Sequence, residues 1–245
     1  MTAARKLPFE TLAYARQILL AEADALRTVA DRIGADFEST VNHLAACRGR
    51  VAVIGVGKSA DVGQKLVGTF NSTGTRAYTL DATKAAHGDL GMVAPDDVAL
   101  LLSHSGESAE IVRLLNPLRE FASRVLAITG NAAGTLARFS DAAIVYGPIA
   151  EACPNRLAPS SSTTVMLALG DALAFTLSER RGFGPEDFAR FHPAGSLGRK
   201  LAGVEAFMRS GDELRVAPMS ESVRSVFAKT HRDGRRTGAI VLVDA

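Results

Sequence analysis

Cysteine is scarce in this sequence of 245 residues, which contains only Cys47 and Cys153. Two thiols are too few for a disulfide framework, and neither belongs to a CxxC pair or to another spacing typical of metal ligands. No two histidines have metal-ligand spacing either. We therefore expect two reduced thiols and predict no metal site.

A surplus of charge is also lacking. Lys and Arg total 28 against 26 Asp and Glu, which gives a net charge of +2. The basic residues are scattered, and no aromatic residues alternate with them as in surfaces that stack on bases. The sequence therefore predicts no nucleic-acid partner.

Long apolar runs are missing as well. The first ten residues, MTAARKLPFE, lack the apolar stretch of a signal peptide, and the longest apolar segment, VMLALGDALAFTL, is interrupted by Asp171. These features predict no membrane partner and a soluble, cytoplasmic protein.

The middle of the sequence contains five short apolar runs: VAVIG, RAYTL, DVALLLS, RVLAIT and DAAIVY, which begin near residues 51, 76, 97, 124 and 141. Stretches with helical character separate them. Continuously apolar strands that alternate with helices predict a parallel sheet covered on both faces. Helical spacing over residues 9–47 predicts one or two helices there, and another begins near Pro159 and ends at Gly182. The fold class is thus α/β, a doubly wound α/β/α sandwich with a five-stranded parallel sheet flanked by helices.

The turn after the first run carries a glycine pattern. Gly55, Gly57 and Ala60 match the relaxed dinucleotide motif GxGxxG/A, and Asp81 follows the next run. A nicotinamide-dependent enzyme is therefore one interpretation. A tight crossing from strand to helix explains the same glycines equally well.

The turn after the third run, SHSGES, is rich in hydroxyl groups. Small hydroxyl donors at the N-terminus of a helix form a suitable site for a phosphate monoester, although capping by Ser105 explains part of the pattern. A dinucleotide site does not require this second turn, which therefore favours a sugar phosphate. The residues predicted to bind the substrate are Ser59, Gly74, Thr75, Ser103, Ser105 and Ser108. His87, in HGDLG, is a further candidate only together with them, since a lone histidine is usually structural.

Charged side chains stand in or near the same turns. The candidates for chemistry are Lys58, Glu110, Glu151 and His192. A solvated charge is the default interpretation of each, and a favourable interaction with the helix dipole explains Glu110. Glu151, in the short EACP turn, has less structural reason to be there.

Seven ordered blocks give the sequence a family resemblance: VIGVGKSA, NSTGT, AAHGDLGMV, SHSGES, EACPNRLAPSSSTT, GDALA and HPAGSLGRKL. Over residues 10–205 the chain resembles the arabinose 5-phosphate isomerases of the sugar isomerase (SIS) family. The resemblance implies interconversion of D-ribulose 5-phosphate and D-arabinose 5-phosphate, the first step of Kdo synthesis for lipopolysaccharide or capsule. It further implies a pentose 5-phosphate substrate, no cofactor, and a homotetramer in which a neighbouring subunit's histidine completes each site.

The resemblance also implies roles for the four charged candidates. Aldose–ketose isomerisation removes a proton beside a carbonyl, and carboxylates and imidazole are suitable proton carriers. We assign the base to Glu151, acid–base work at the sugar oxygens or ring opening to His192, and an orienting or shuttling role to Glu110. Lys58 would stabilise the developing oxyanion.

Some positions depart from the family pattern. Asp81 replaces a frequent histidine, which weakens the case for inhibitory zinc binding. Arg156 is unusual after EACP, and Ala194 replaces a glycine. Two alternatives stay open: a SIS isomerase of a hexulose or heptose phosphate, and a sugar-phosphate sensor without catalysis.

The end of the chain resembles the start of a CBS module. The predicted domains are residues 1–205, the SIS domain, and residues 206–245, a partial first CBS module with a helix near 219–231 and a strand in GAIVLVD. Half of such a module cannot bury its own apolar strand, so we expect either a truncated chain or a tail that packs on other partners.

Overall fold

The computed structural model describes residues 10–192, 203–206, 208, 214, 216–229 and 240–244. The chain forms two compact units, Met1–Phe191 and His192–Ala245. The first unit thus ends before the boundary predicted at residue 205. The assignment of residues 206–245 to a partial CBS module stays a prediction.

The first unit is built on one parallel sheet. Its strands are β1 (Val51–Gly55), β2 (Ala77–Thr79), β3 (Val98–Ser103), β4 (Arg124–Thr129) and β5 (Ala142–Val145). They lie in the order β2-β1-β3-β4-β5, and every neighbouring pair is parallel. Each strand begins within one residue of its predicted position, and the predicted five-stranded parallel sheet is confirmed.

The apolar runs form strands because both faces of the sheet are covered. Along β3, Leu100 and Leu102 belong to the core on one face, whereas Ala99 and Leu101 belong to the core on the other. All four side chains are fully buried. Alternation of side chains across a strand therefore requires apolar residues at every position, as in other doubly covered parallel sheets.

Eight helices belong to the described part of the first unit: α1 (Thr11–Ala30), α2 (Ala35–Ala45), α3 (Lys58–Ser72), α4 (Ala82–Ala85), α5 (Ala109–Phe121), α6 (Thr135–Phe139), α7 (Ser161–Arg180) and α8 (Pro185–Phe191). Side chains of α1, α2, α3 and α7 fill one core, and those of α4, α5 and α6 fill the other. The predicted α/β/α sandwich is confirmed.

Two helices approach closely on the first face. A methyl group on Gly170 of α7 would overlap Leu66 of α3, so glycine is needed for their contact. The α7 helix ends just before Gly182, whose φ of +65° is the left-handed conformation common after helices. None of the described helices combines the length and the apolar character needed to cross a membrane.

The second unit contains a small parallel pair of strands. β6 (Val216–Pro218) pairs with β7 (Val241–Val243), and helix α9 (Val223–Lys229) lies between them in sequence. A 3₁₀ turn spans Val204–Ala206. The predicted helix and final strand are found with shorter bounds, although residues 230–239 lie outside the described residues. The side chains of β7 are exposed.

Candidate active site

A cavity opens at the carboxyl ends of β1 and β3. In the strand order β2-β1-β3-β4-β5, the direction in which successive strands are added reverses between β1 and β3. Ligands of open α/β sheets bind at such a switch point. The cavity has a volume of about 480 Å³, within the range of sites for small molecules. Its polar lining residues are Lys58, Ser59, His104, Glu151, Arg156, Ser162 and Thr163.

Lys58 and Ser59 enter the cavity from a tight turn. A Cβ on Gly55 would lie 2.7 Å from the carbonyl carbon of Ser59, and Gly57 has a φ of +56°, so both glycines are needed where β1 turns into α3. Lys58 Nζ lies 3.0 Å from Asp61 Oδ2, but both side chains are 69% exposed. Such an ion pair contributes little to stability, so Lys58 can exchange it for a ligand at small cost.

Glu151 is fixed at the start of α7. Its Oε2 accepts hydrogen bonds from Ser160 N at 2.8 Å, Ser160 Oγ at 3.0 Å and Ser162 N at 3.2 Å. The first N–H groups of a helix have no partner within the helix, and the macrodipole favours a negative charge there. The carboxylate of Glu151 therefore caps α7 from a turn nine residues earlier.

The same contacts determine the pKa of Glu151. Partial burial raises this pKa, but the hydrogen bonds from Ser162 and Ser160 outweigh burial and lower it. The carboxylate is therefore ionised at neutral pH and ready to accept a proton. Because a low pKa also makes it a weak base, any proton abstraction here needs strong stabilisation of the resulting negative charge elsewhere.

The hydroxyl-rich turn lies between β3 and α5. Ser103 Oγ and Ser108 Oγ are 3.0 Å apart, and Gly106 N donates to Ser103 Oγ at 3.1 Å. Ser105 Oγ accepts from Glu107 N at 3.2 Å. These bonds curl the backbone around Gly106, whose φ is +68°, and place the turn at the N-terminus of α5.

Contacts with the start of α6 hold this turn in place. Glu107 Oε1 accepts from Thr135 N at 2.6 Å, and Asn131 Nδ2 donates to Ser105 O at 3.0 Å. Hydrogen bonds from Thr135 lower the pKa of Glu107. The turn is therefore preorganised, and the charge of Glu107 is engaged with α6.

His104 is a cavity residue that the sequence reasoning missed. Its Nδ1 lies 2.8 Å from Tyr146 Oη, and the two rings stack with centroids 5.7 Å apart. A single histidine within SHSGES gives no signal of this contact, because Tyr146 stands 42 residues later.

The SIS domain family matches residues 43–176, more than half of the chain. The chain belongs to the SIS domain family. This match spans all five strands of the sheet and most of α7. The membership of the SIS family predicted from the sequence is confirmed.

Relatives and a solved structure give more detail about this SIS chain. The probable arabinose 5-phosphate isomerase of Haemophilus influenzae is 46% identical over 190 residues, which are 78% of this chain and 56% of that protein. Arabinose 5-phosphate isomerase KdsD of Pseudomonas aeruginosa is 43% identical over 224 residues, 91% of this chain and 68% of that protein. The solved structure of Escherichia coli CFT073 c3406 in complex with arabinose 5-phosphate has 39% identity and a TM-score of 0.72, and covers 75% of this chain and 97% of that one. The chain therefore spans between 56% and 68% of these two curated relatives.

Three other residues predicted for the site do not line the cavity. Glu110, in the first turn of α5, and His87, after α4, are exposed and do not line the cavity. His192 is the first residue of the second unit. The roles of these three residues stay predictions.

Gly74 and Thr75 lie away from this cavity in a single chain. They precede β2, so they lie at the amino end of the parallel sheet, opposite the cavity. Thr75 Oγ1 accepts from Arg181 Nη1 at 2.7 Å there, and a Cβ on Gly74 would lie 2.6 Å from the ring of Phe183. In a single chain neither residue lines this cavity, and their role in binding the sugar stays a prediction.

The dinucleotide interpretation loses its acidic residue. Asp81 Oδ1 accepts from Lys84 N at 2.8 Å and caps α4, so this carboxylate already has a structural role.

Within the described residues no three His, Cys, Asp or Glu side chains are grouped so as to hold a metal ion. Cys47 and Cys153 are free thiols, and burial raises the pKa of Cys47.

Proposed function

We propose that this chain interconverts D-arabinose 5-phosphate and D-ribulose 5-phosphate through an enediol intermediate. The observation that carries the proposal is one cavity lined by Lys58, Ser59 and Glu151 and bordered by the turn between β3 and α5. Relatives named arabinose 5-phosphate isomerase, and the complex of c3406 with arabinose 5-phosphate, support the substrate. The product would enter Kdo synthesis, as the resemblance implies.

The phosphate group is expected at the turn before α5. This helix has 13 residues, and its free N–H groups and dipole favour an anion. Ser103, Ser105 and Ser108 contribute hydroxyl groups in the same place. A free carboxylate would repel the phosphate, but the carboxylate of Glu107 is hydrogen-bonded to Thr135 N at the start of α6.

The sugar then extends along the cavity towards Glu151. The Glu151 carboxylate takes the proton from the carbon beside the carbonyl, the C–H electron pair forms the C=C bond, and the carbonyl π electrons move to oxygen. The oxygen on carbon 1 gains a proton, the hydroxyl on carbon 2 loses one as its O–H electrons form the new carbonyl, and Glu151, whose proton can exchange with solvent, protonates carbon 1 to complete the isomerisation. Lys58 stabilises the enediolate oxygen, which offsets the weak basicity of a carboxylate with a lowered pKa.

Assembly is part of the proposal because Glu110 is exposed in a single chain. We expect a homotetramer in which neighbouring chains complete each site and give Glu110 and His192 their roles. The exposed leucines of α1, Leu12, Leu19 and Leu20, support an interface, since solvated helices rarely display several large apolar side chains.

The direct test is incubation of the purified chain with D-arabinose 5-phosphate, without added cofactor, and measurement of D-ribulose 5-phosphate. We expect conversion in both directions. Parallel assays with hexulose and heptose phosphates separate the alternatives. Faster turnover of those sugars would point to another isomerase, and tight binding of arabinose 5-phosphate without turnover would point to a sensor.

A further inference from the structure

The imidazole of His104 is held from several sides at the cavity wall. His104 O accepts from Gly130 N at 3.0 Å, which fixes the backbone after β3. A Cβ on residue 130 would lie 2.7 Å from His104 Nδ1 and 2.9 Å from Cε1, so the ring fits only because this residue is glycine. The Nδ1 edge of the ring therefore packs inside the protein, which leaves Nε2 as the ring nitrogen available to the cavity that His104 lines.

Tyr146 determines what Nδ1 does. Its side chain is 1% exposed, and its backbone is fixed by Thr129 O and by Arg32 Nη1. Among the described residues its hydroxyl has one hydrogen-bond partner, His104 Nδ1 at 2.8 Å. Burial first, and the charge of Glu151 second, raise the pKa of Tyr146, so the phenol keeps its proton.

A buried O–H group must donate to an acceptor. Because Nδ1 is the acceptor within reach, it carries no proton itself when it receives this bond. The neutral ring then has its proton on Nε2. The cavity is thus presented with an N–H donor of fixed position and orientation.

We propose that His104 is a further catalytic residue, whose Nε2–H donates a hydrogen bond to the substrate oxygen that becomes negative in the enediolate, and that Tyr146 is its positioning residue. The inference rests on the proposed function. No proton leaves His104 in this step. Glu151 takes the proton from carbon, the π electrons of the carbonyl move to oxygen, and the hydrogen bond from Nε2 strengthens as that oxygen gains charge.

The energetics of the cavity favour such a donor. Glu151 is a weak base, and Lys58, as a largely exposed cation, supplies only part of the stabilisation that the enediolate needs, because water screens its charge. A preorganised donor beside the developing oxyanion strengthens as the charge forms and needs no reorganisation. A neutral imidazole is suited to this role, since its N–H group can polarise a carbonyl by a hydrogen bond and keep its proton.

Two variants test the pair. Tyr146→Phe keeps the stacked ring and removes the hydroxyl, so we expect kcat to fall about tenfold with KM within about twofold. His104→Ala should lower kcat about 100-fold, as loss of an oxyanion donor does, and His104→Gln should recover part of it. Tyr78→Phe is the matched control, because it also removes a hydrogen-bonded phenol hydroxyl, 3.1 Å from Asp97 Oδ2, but Tyr78 does not line the cavity. It should leave kcat within about twofold.

The double variant distinguishes positioning from general damage. If Tyr146 acts only through His104, the double variant loses no more kcat than His104→Ala alone. Losses that multiply would overturn the inference, as would an unchanged kcat in Tyr146→Phe.

The tautomer can be read without turnover. The chain has five histidines, and solid-state NMR of ¹⁵N-histidine protein, with His104→Gln to assign the signal, reports the protonated nitrogen. We expect Nε2–H in the wild type and a mixture in Tyr146→Phe. An Nδ1–H ring in the wild type would overturn the inference. An active wild type with an unaffected Tyr146→Phe variant contradicts only this inference, whereas an inactive wild type contradicts the proposed function.

Discussion

Replacement of Glu151 by glutamine changes two properties of one side chain, its basicity and its charge at the N-terminus of α7. The amide oxygen of Gln can still accept from Ser160 N and Ser162 N, so the shape of the turn is kept. The amide cannot accept a proton from carbon at neutral pH. We therefore expect a large loss of turnover and a small loss of stability.

The two magnitudes differ enough to be separated. A positioned general base contributes about 10²- to 10⁴-fold to a rate, so kcat should fall by roughly 10³-fold. Loss of the charge at the helix terminus should cost about 1 kcal/mol, because the half-buried carboxylate is partly screened by solvent. That cost lowers the melting temperature by about 2–4 °C. A domain with about 5–15 kcal/mol of stability stays folded after such a change, so unfolding cannot explain the loss of turnover.

The pH dependence of stability provides a second check. Because the hydrogen bonds lower the pKa of Glu151 in the folded chain, its contribution is fully present above the ordinary carboxyl pKa and is lost as pH falls through the folded pKa. The stability difference between wild type and variant should therefore shrink below about pH 4. Denaturant unfolding at several pH values measures it.

The matched control is Glu22→Gln. Glu22 Oε2 accepts from Thr164 Oγ1 at 3.0 Å on the same helix, but Glu22 does not line the cavity. Its variant should keep kcat within about twofold of the wild type. A Glu151→Gln variant that retains more than about a tenth of wild-type kcat, measured by the ketose formed from arabinose 5-phosphate, would refute the assignment of the base.

Three further substitutions test other parts of the site and fold. Lys58→Gln should lower kcat about 100-fold without changing the melting temperature, because its ion pair with Asp61 is exposed; calorimetry and kinetics measure both. Gly106→Ala places a Cβ 3.0 Å from Thr129 Oγ1 at a φ of +68°, so we expect about 1–2 kcal/mol lower stability in denaturant unfolding and a higher KM for the sugar phosphate. Leu100→Ala should cost about 2–5 kcal/mol in the same unfolding assay and leave kcat unchanged while the protein is folded.

The strands of the sheet were predictable because their cause is local. A strand buried on both faces needs apolar residues at every position, and the runs from VAVIG to DAAIVY meet that requirement directly. The end of α7 was predictable for a similar reason, since Gly182 adopts a φ of +65° that other residues avoid.

The contacts of the site depend on tertiary structure and could not be read from spacing. Glu151 caps α7 only because the EACP turn folds back on the helix, and His104 meets Tyr146 only because β3 and β5 end at one edge of the sheet. The position of Gly74 and Thr75 relative to the cavity could not be read from spacing either. Their block lies among the others in sequence, but residues that precede a strand lie at the amino end of a parallel sheet.

Uptake of deuterium from solvent tests the central claim, an enediol formed by Glu151, most directly. The wild type is incubated with D-arabinose 5-phosphate in D₂O, and the label at carbon 2 is followed by NMR in the recovered sugar. We predict incorporation at carbon 2 of arabinose 5-phosphate and at carbon 1 of ribulose 5-phosphate, and none in Glu151→Gln. Isomerisation without any label, or undiminished labelling in Glu151→Gln, would contradict the account.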